Sequence, residues 1–307
     1  MGVATASAQL DRLVVVDDGS GPGFDAVFAA IEDAGAEVMR LPQNSGIATA
    51  LNAGVRRALD GGAAFIVTLD QDSLLPPEFV RNLRMSAQEA GGKVSVGAVV
   101  PEYFADVRQA REEAAPGVLR AQNVIQSGML VPRHAFEAAG LFRGDFFIDL
   151  VDTEFELRLQ RAGFLVIAAP GVRMGHQLGT QFERRLLGMR VRLPGVPDVV
   201  TVSTPFRYFY RVRNRLVLNR EYRTTATPQL RRDTILDVIH VANVLLLARP
   251  RRSMWRLVWA GMRAARAGRM GRMPDALMVS ARDIRWAARP AFGGPLSSAA
   301  DATGKST

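Results

Sequence analysis

Apolar positions in the first half of the chain fall in short blocks, and the blocks alternate between two spacings. Leu13 to Asp17 is a β-branched run that predicts a strand ending in Asp17-Asp18-Gly19-Ser20. Phe24 to Ala34 follows with Val27, Phe28 and Ile31 on one helical face, then Glu37 to Leu41 as a second strand. After a loop over Pro42 to Gly46, the spacing of Ile47, Leu51, Val55 and Leu59 predicts a helix. Phe65 to Leu69 is the next strand, Pro76-Pro77 opens another helix, and Val94 to Val100 is a further strand. This order argues an α/β fold: a mostly parallel sheet with helices on both faces. Ligands of such sheets bind at the carboxyl ends of the strands.

Beyond residue 100 the pattern is less regular. Glu102 to Gly117 is charged and alanine-rich and reads as a mobile loop. Val124 to Val131 reads as a strand interrupted by Gly128, where a glycine permits close approach of a ligand. Pro132 to Ala139 and Asp152 to Ala162 read as helices and Phe164 to Ala169 as a strand, followed by a loop carrying His176. From Thr204 helices take over, over about Pro205–Tyr222, Gln229–Ala248, Met254–Ala267 and Asp275–Ala287. The expected division is an α/β domain over 1–203, a helical region over 204–289 and a disordered tail over 290–307.

Chemistry enters with Leu69-Asp70-Gln71-Asp72. Asp70 and Asp72 flank one residue just past a buried strand, so they point the same way. Two carboxylates that close repel unless a cation lies between them. A hard divalent ion with oxygen ligands fits, and such an ion commonly bridges a diphosphate. By itself an Asp-x-Asp is as often a solvated turn.

Composition changes this picture at three points. The absence of cysteine excludes a disulfide framework and thiolate chemistry, which suits the cytoplasm. No basic start followed by an apolar stretch is found near Met1, and no run reaches the about 20 apolar residues of a membrane span. The net charge of +9 comes almost wholly from arginine and concentrates between Arg207 and Arg289. Such a half suits phosphorylated substrates, an anionic membrane surface or nucleic acid. Met254, Trp255, Leu257, Val258, Trp259 and Met262 interleave with those arginines, an interfacial-helix pattern that equally fits a helix packed on the first domain. No reader motif accompanies the basic stretch, so no nucleic-acid partner is expected.

Taken in order, five motifs resemble those of family 2 glycosyltransferases. They are Val14–Ser20, Asn44-Ser45-Gly46-Ile47-Ala48 with Ala50–Gly54, Leu69–Ser73, Phe147-Ile148-Asp149 with Val151-Asp152-Thr153-Glu154, and His176. Leu-Asp-Gln-Asp-Ser, Val-Asp-x-Glu, His176-Gln177-Leu178-Gly179 and Tyr208–Arg215 are similar to the bacterial rhamnosyltransferase branch. The resemblance spans roughly residues 13–222. It implies a GT-A fold and an inverting, metal-dependent transfer of a sugar to a hydroxyl. The favoured donor is dTDP-rhamnose and the acceptor a glycan or lipid-linked hydroxyl of the cell envelope or an exopolysaccharide. A cytoplasmic enzyme is expected, peripheral on the inner face of the membrane through its basic C-terminal helices.

The resemblance also assigns roles. Asp152 is the base that takes the acceptor proton, although a lone Asp there is equally a helix-start carboxylate. Asp72 holds Mg2+ or Mn2+, completed by His176, and Asp70 reaches the ribose or a metal-bound water. Asp17, Asn44, Gly46, Asn52 and Gln71 line the nucleotide sugar. Asp149, Glu154, Arg213 and Asn214 meet the acceptor or the diphosphate, the last two being alternatively a salt-bridged helix face. Val151 stands where the broad family often has an acid. The family also carries a strand and helix ahead of the one matching Leu13 to Asp17, where this chain has about a dozen residues. An exposed edge and weak stability are expected there. The alternatives are a non-catalytic nucleotide-sugar-binding or partner-binding relic and a nucleotidyltransferase of similar topology. The latter is disfavoured by the lack of a Gly-rich, Lys-bearing loop.

Overall fold

In the computed structural model, residues 2–175 and 199–287 are described, with the strand residues 181–183, 185–186, 189–190 and 290–292. A short helix α1 (Gly2–Ser7) leads into β1 (Val14–Asp17), α2 (Asp25–Asp33) and β2 (Glu37–Arg40). Then come α3 (Ile47–Asp60), β3 (Phe65–Thr68) and α4 (Phe79–Ala90). Apart from α1, which the sequence pattern does not predict, each lies where the sequence places it. Gly46 begins α3 with φ 91°, and a Cβ there would lie 2.5 Å from the Phe147 carbonyl oxygen, so both backbone angle and space demand glycine.

A run of strands follows: β4 (Val96–Phe104), β5 (Val107–Arg108), β6 (Ala110–Ala115), β7 (Val118–Ala121) and β8 (Met129–Pro132). The chain continues through α5 (Arg133–Ala139), α6 (Val151–Arg161) and β9 (Leu165–Met174). The expected loop over 102–117 is therefore built of strands. Its residues alternate without an apolar face because β6 is a solvent-exposed edge, with only Ala110 buried. The expected strand over 124–131 forms only from Met129. Gly128 has φ 78° and a Cβ there would meet Met174 Sδ at 2.5 Å, so the glycine makes room for a core side chain and not for a ligand.

The main sheet runs β3-β8-β4-β9-β7-β6, with β5 beside β4. β4 and β9 pair in parallel, while β8 enters antiparallel between β3 and β4, so the sheet is mixed. Alternate residues of its strands feed two cores. Ala98, Val100, Met129, Val131, Val166 and Ala168 face α3, α5 and α6, where Phe136, Phe142 and Phe155 pack ring to ring. Val99, Leu130, Ile167 and Ala169 face Phe79, Leu83 and Ala87 of α4. The period-two alternation fixes which side each residue serves.

β1 and β2 form a separate parallel pair. Among the described residues β1 pairs only with β2, and β3 only with β8. Both strands line one cavity of about 1760 Å³, floored by the Ile47, Leu51, Val55 and Ala58 face of α3. The sheet is thus split, and the gap opens into this hollow.

Four helices close the fold: α7 (Arg207–Glu221), α8 (Thr227–Leu247), α9 (Arg251–Arg266) and α10 (Asp275–Arg282). Val217, Leu218, Tyr222, Leu230 and Ala265 belong to the same core as the sheet, so these helices are joined to it by packing. α9 lies close on α7, since a Cβ at Gly261 would meet the Phe209 carbonyl oxygen at 2.6 Å. Pro290–Phe292 of the expected tail pairs with Gln181–Phe182, while 293–307 lie outside the described residues.

Candidate active site

The cavity collects most of the residues singled out by sequence. Asp17, Asn44, Gly46, Asp70, Gln71, Asp72, Asp149 and Asp152 all line it. Strand ends deliver Asp17 and Asp70, and the turn after β3 delivers Asp72, which is exposed to the cavity mouth. His176 lies outside the described residues.

Asp17 and Asp18 divide two tasks. Asp17 Oδ1 accepts from the backbone N–H of Ser20 at 3.0 Å and from its hydroxyl, closing the turn at the end of β1. Asp18 accepts the N–H groups of Ser45 (2.7 Å) and Gly46 (2.8 Å), tying that turn to the start of α3. Asp70 is held by residues the sequence did not flag. Its N–H donates to Ser127 Oγ at 3.1 Å, its Oδ1 accepts from Gln126 Nε2, and Ser127 Oγ bonds Ser73 Oγ at 2.6 Å. The other amide atom, Gln126 Oε1, is buried without a hydrogen-bond partner. A buried orphan acceptor beside a carboxylate marks a place where a polar ligand is expected.

Opposite Asp70 the chain is bent sharply. Phe147, Asp149 and Leu150 have φ of 67°, 64° and 61°, a left-handed backbone that non-glycine residues rarely adopt. This loop delivers Asp149 and then Asp152 in the first turn of α6. Arg207, another residue missed in the sequence, lines the cavity and grips Asp149 with three contacts of 2.7–3.2 Å. Asp149 is thereby neutralised as an ion pair. Among the described residues no arginine hydrogen-bonds Asp152, although the charge of the Arg207 guanidinium reaches it. Burial pushes its carboxyl up to about 6, against the N–H of Thr153 and with Asp149 and Asp70 adding repulsion. One turn on, burial also raises Glu156, to about 7, although Gln229 and the Val124 N–H bond it.

Four expected site residues stand elsewhere. Asn52 is buried on the far side of α3 and donates to the Phe142 carbonyl at 2.7 Å. Glu154 is buried, paired with Arg158 and accepting from the Tyr222 hydroxyl at 2.7 Å, so it locks α6 to α7. Arg213 and Asn214 are fully buried and meet neither cavity nor solvent. Arg213 donates to the carbonyls of Gly271 (2.6 Å), Asp145 (3.2 Å) and Phe146 (2.8 Å). Burial draws its guanidinium down to about 10. Asn214 donates to the carbonyls of Phe146, Ile148 and Asp149 at 2.8–3.2 Å. These two side chains hold the strained loop by its backbone. They are not ligands of a diphosphate, because every donor direction described is spent on carbonyl oxygens.

The residues fit a divalent cation in part. Asp70 and Asp72 offer oxygen only, as hard ions require. Among the described residues no three acidic or histidine side chains gather closely enough to hold an ion unaided. Such a pair suits an ion whose other ligands arrive with a polyphosphate.

Comparison with known proteins now gives the class. Residues 3–143 match the family described as Glycosyl transferase family 2, the family that the motifs resemble. More particularly, the chain is 28% identical over 245 residues to the dTDP-rhamnosyl transferase RfbF of Shigella flexneri, covering 76% of this chain and 78% of that one. Among solved structures it is similar to GalNAc-T7 with UDP, GalNAc and Mn2+ (TM-score 0.47, 15% identity, 69% of this chain and 43% of that one). It is also similar to residues 1–349 of S. aureus TarS (TM-score 0.40, 11% identity, 87% of this chain and 86% of that one). At those scores the two structures carry no further weight.

Proposed function

We propose that this glycosyltransferase moves rhamnose from dTDP-rhamnose, with inversion, to a hydroxyl of a cell-envelope or exopolysaccharide glycan. The carrying observation is the placement of a buried Asp152, raised in basicity, and the Asp70–Asp72 turn on one cavity. The name of the 28% identical relative supports the donor.

The residues divide the work in a way that one displacement requires. Asp17 and the α3 start line the end of the cavity where base and ribose fit. Asp72, with Asp70 beside it and His176 as the sequence reading assigns, would hold Mg2+ or Mn2+. Such an ion supplies Lewis-acid stabilisation of the leaving diphosphate. Asp152 accepts the proton of the acceptor hydroxyl on the opposite side of the sugar. A carboxylate with a pKa near 6 is a stronger base than an ordinary aspartate yet still ionised at neutral pH. Arg207 keeps Asp149 from competing for that proton and leaves it free to accept from sugar hydroxyls.

The split sheet favours one other reading, a nucleotide-sugar-binding protein without turnover, because among the described residues β1 pairs with no strand of the main sheet. The deciding measurement is donor consumption with dTDP-rhamnose and Mn2+ or Mg2+. Turnover that falls about a thousandfold in Asp152→Asn, with donor affinity retained, is the expected result. Binding without turnover in the parent chain overturns the enzyme reading.

A further inference from the structure

Among the described residues the outward faces of α8 and α9 are left exposed, and their composition is unusual. On α8, Ile235, Leu236, Val238 and Leu246 are 49–63% exposed. The only acidic residues between Tyr222 and Pro274 are Asp233 and Asp237, and both are buried. Asp237 is turned inward by Arg211 (2.6 Å) and Arg215 (2.6 Å), so α8 presents no negative charge to solvent. On α9 the inward face, Met254, Leu257, Val258, Gly261 and Ala264, is spent on α7. Its outward face alternates Arg252, Trp255, Arg256, Trp259 and Arg263, with the two tryptophans 52% and 46% exposed. The helices are joined at Leu246, whose carbonyl accepts from Arg249 (2.9 Å) and Arg251 (3.2 Å).

Exposing two tryptophans and a stripe of branched aliphatic residues costs about 25 cal/mol per Å² of apolar surface left in water, and no described residue covers them. We infer that this helical hairpin docks on an anionic lipid bilayer. The aliphatic and indole side chains enter the headgroup boundary, while the flanking guanidinium groups meet lipid phosphates. A second copy of the chain is a poorer occupant, because a two-fold contact would set Arg252, Arg256 and Arg263 against their own copies. Nucleic acid would leave the α8 stripe unmet. No described helix is long and apolar enough to cross a membrane, so the contact lies on the surface. It goes beyond the transfer reaction, whose lipid-linked acceptors it would bring near, and does not depend on catalysis.

The test uses the full chain and vesicles of phosphatidylcholine, alone or with roughly 30% phosphatidylglycerol, in flotation and tryptophan fluorescence. Trp255, Trp259 and Trp286 are the only tryptophans, so a blue shift with quenching by brominated lipid reports the α9 face. Binding to anionic but not neutral vesicles is expected, weakened at least tenfold at about 0.5 M salt. Trp255→Ala with Trp259→Ala, and separately Arg252→Gln with Arg256→Gln, should each weaken it about tenfold while leaving circular dichroism and donor turnover in detergent unchanged. Absence of binding to anionic vesicles, or equal binding by both folded double variants, overturns the inference. So does a concentration-dependent dimer that protects the tryptophans without any vesicle binding, which would give the face to a second copy.

Discussion

The two walls of the cavity are built to different standards. On one side α6 buries Val151, Thr153, Phe155, Leu157 and Leu159 against a sheet whose β4 is buried along almost its whole length. On the other side β1 and β2 stand apart from that sheet, α2 buries no residue, and Phe24 and Val27 are about half exposed. The difference teaches where each residue of the site gets its precision. Asp152 is fixed by a packed helix and a clamped loop. Asp17 depends on a two-stranded ribbon, and isolated ribbons are marginal in water. The firm wall carries the base, whose geometry must be held tightly. The soft wall faces the part of a ligand that only has to be bound.

The sharpest way to break this contrast is to hollow each wall. Phe155→Ala should lose about 3–5 kcal/mol in urea unfolding, as large aromatic truncations in closed cores do, against under about 1 kcal/mol for the half-exposed Phe24→Ala. Equal losses would mean that the ribbon is as well packed as the sheet. Next in size, Asn214→Ala strips three carbonyls of their donor beneath the strained loop and should cost about 2–3 kcal/mol. Turnover should then drop more than donor affinity does, because the loop aims Asp149 and Asp152. A donor affinity lost to the same degree would return Asn214 to ligand contact.

Smaller still is the effect of pH on the firm wall. Asp152 titrates higher in the fold than the roughly 3.9 of an unfolded aspartate. Its contribution to stability is therefore complete below about pH 4 and is lost as pH rises through about 6. Asp152→Asn should be more stable than the parent by roughly 1–2 kcal/mol at pH 7.5, with no gain near pH 4. Turnover of the parent should rise through about pH 6 as the carboxylate forms. A stability difference independent of pH would remove Asp152 from its buried, basic state. The least of the expected effects is dynamic. Amides of β1 and β2 should exchange with solvent faster than those of β4 and β9, and a bound nucleotide sugar should slow the former selectively.

Much of the scaffold was legible because burial writes itself into spacing. β1, β2, β3, α3 and α6 fall within a residue or two of their predicted bounds, since each has one apolar face and clear punctuation. β6 was not legible: Arg111, Glu112 and Glu113 sit on an edge strand wet on both faces, and such a strand has no period-two signature. Arg213 and Asn214 misled for a different reason. A guanidinium suits phosphate and backbone carbonyl alike, and nothing local tells which will be within reach. Gln126, Ser127 and Arg207 were missed because their partners, Asp70, Ser73 and Asp149, lie 54 to 58 residues away in the chain, at contacts only folding creates.

By itself the sequence determined which carboxylates end strands or begin helices, because alternation and helix punctuation are local properties of the chain. It also determined that the last helices would be basic and studded with tryptophan. Only the tertiary structure decided which acid meets an arginine and which is buried. Arg207 comes from another element to neutralise Asp149, and burial beside Asp70 raises Asp152, so two neighbouring aspartates of equal intrinsic acidity acquire opposite roles. Charge pairing and desolvation are properties of arrangement in space, and no stretch of sequence contains them.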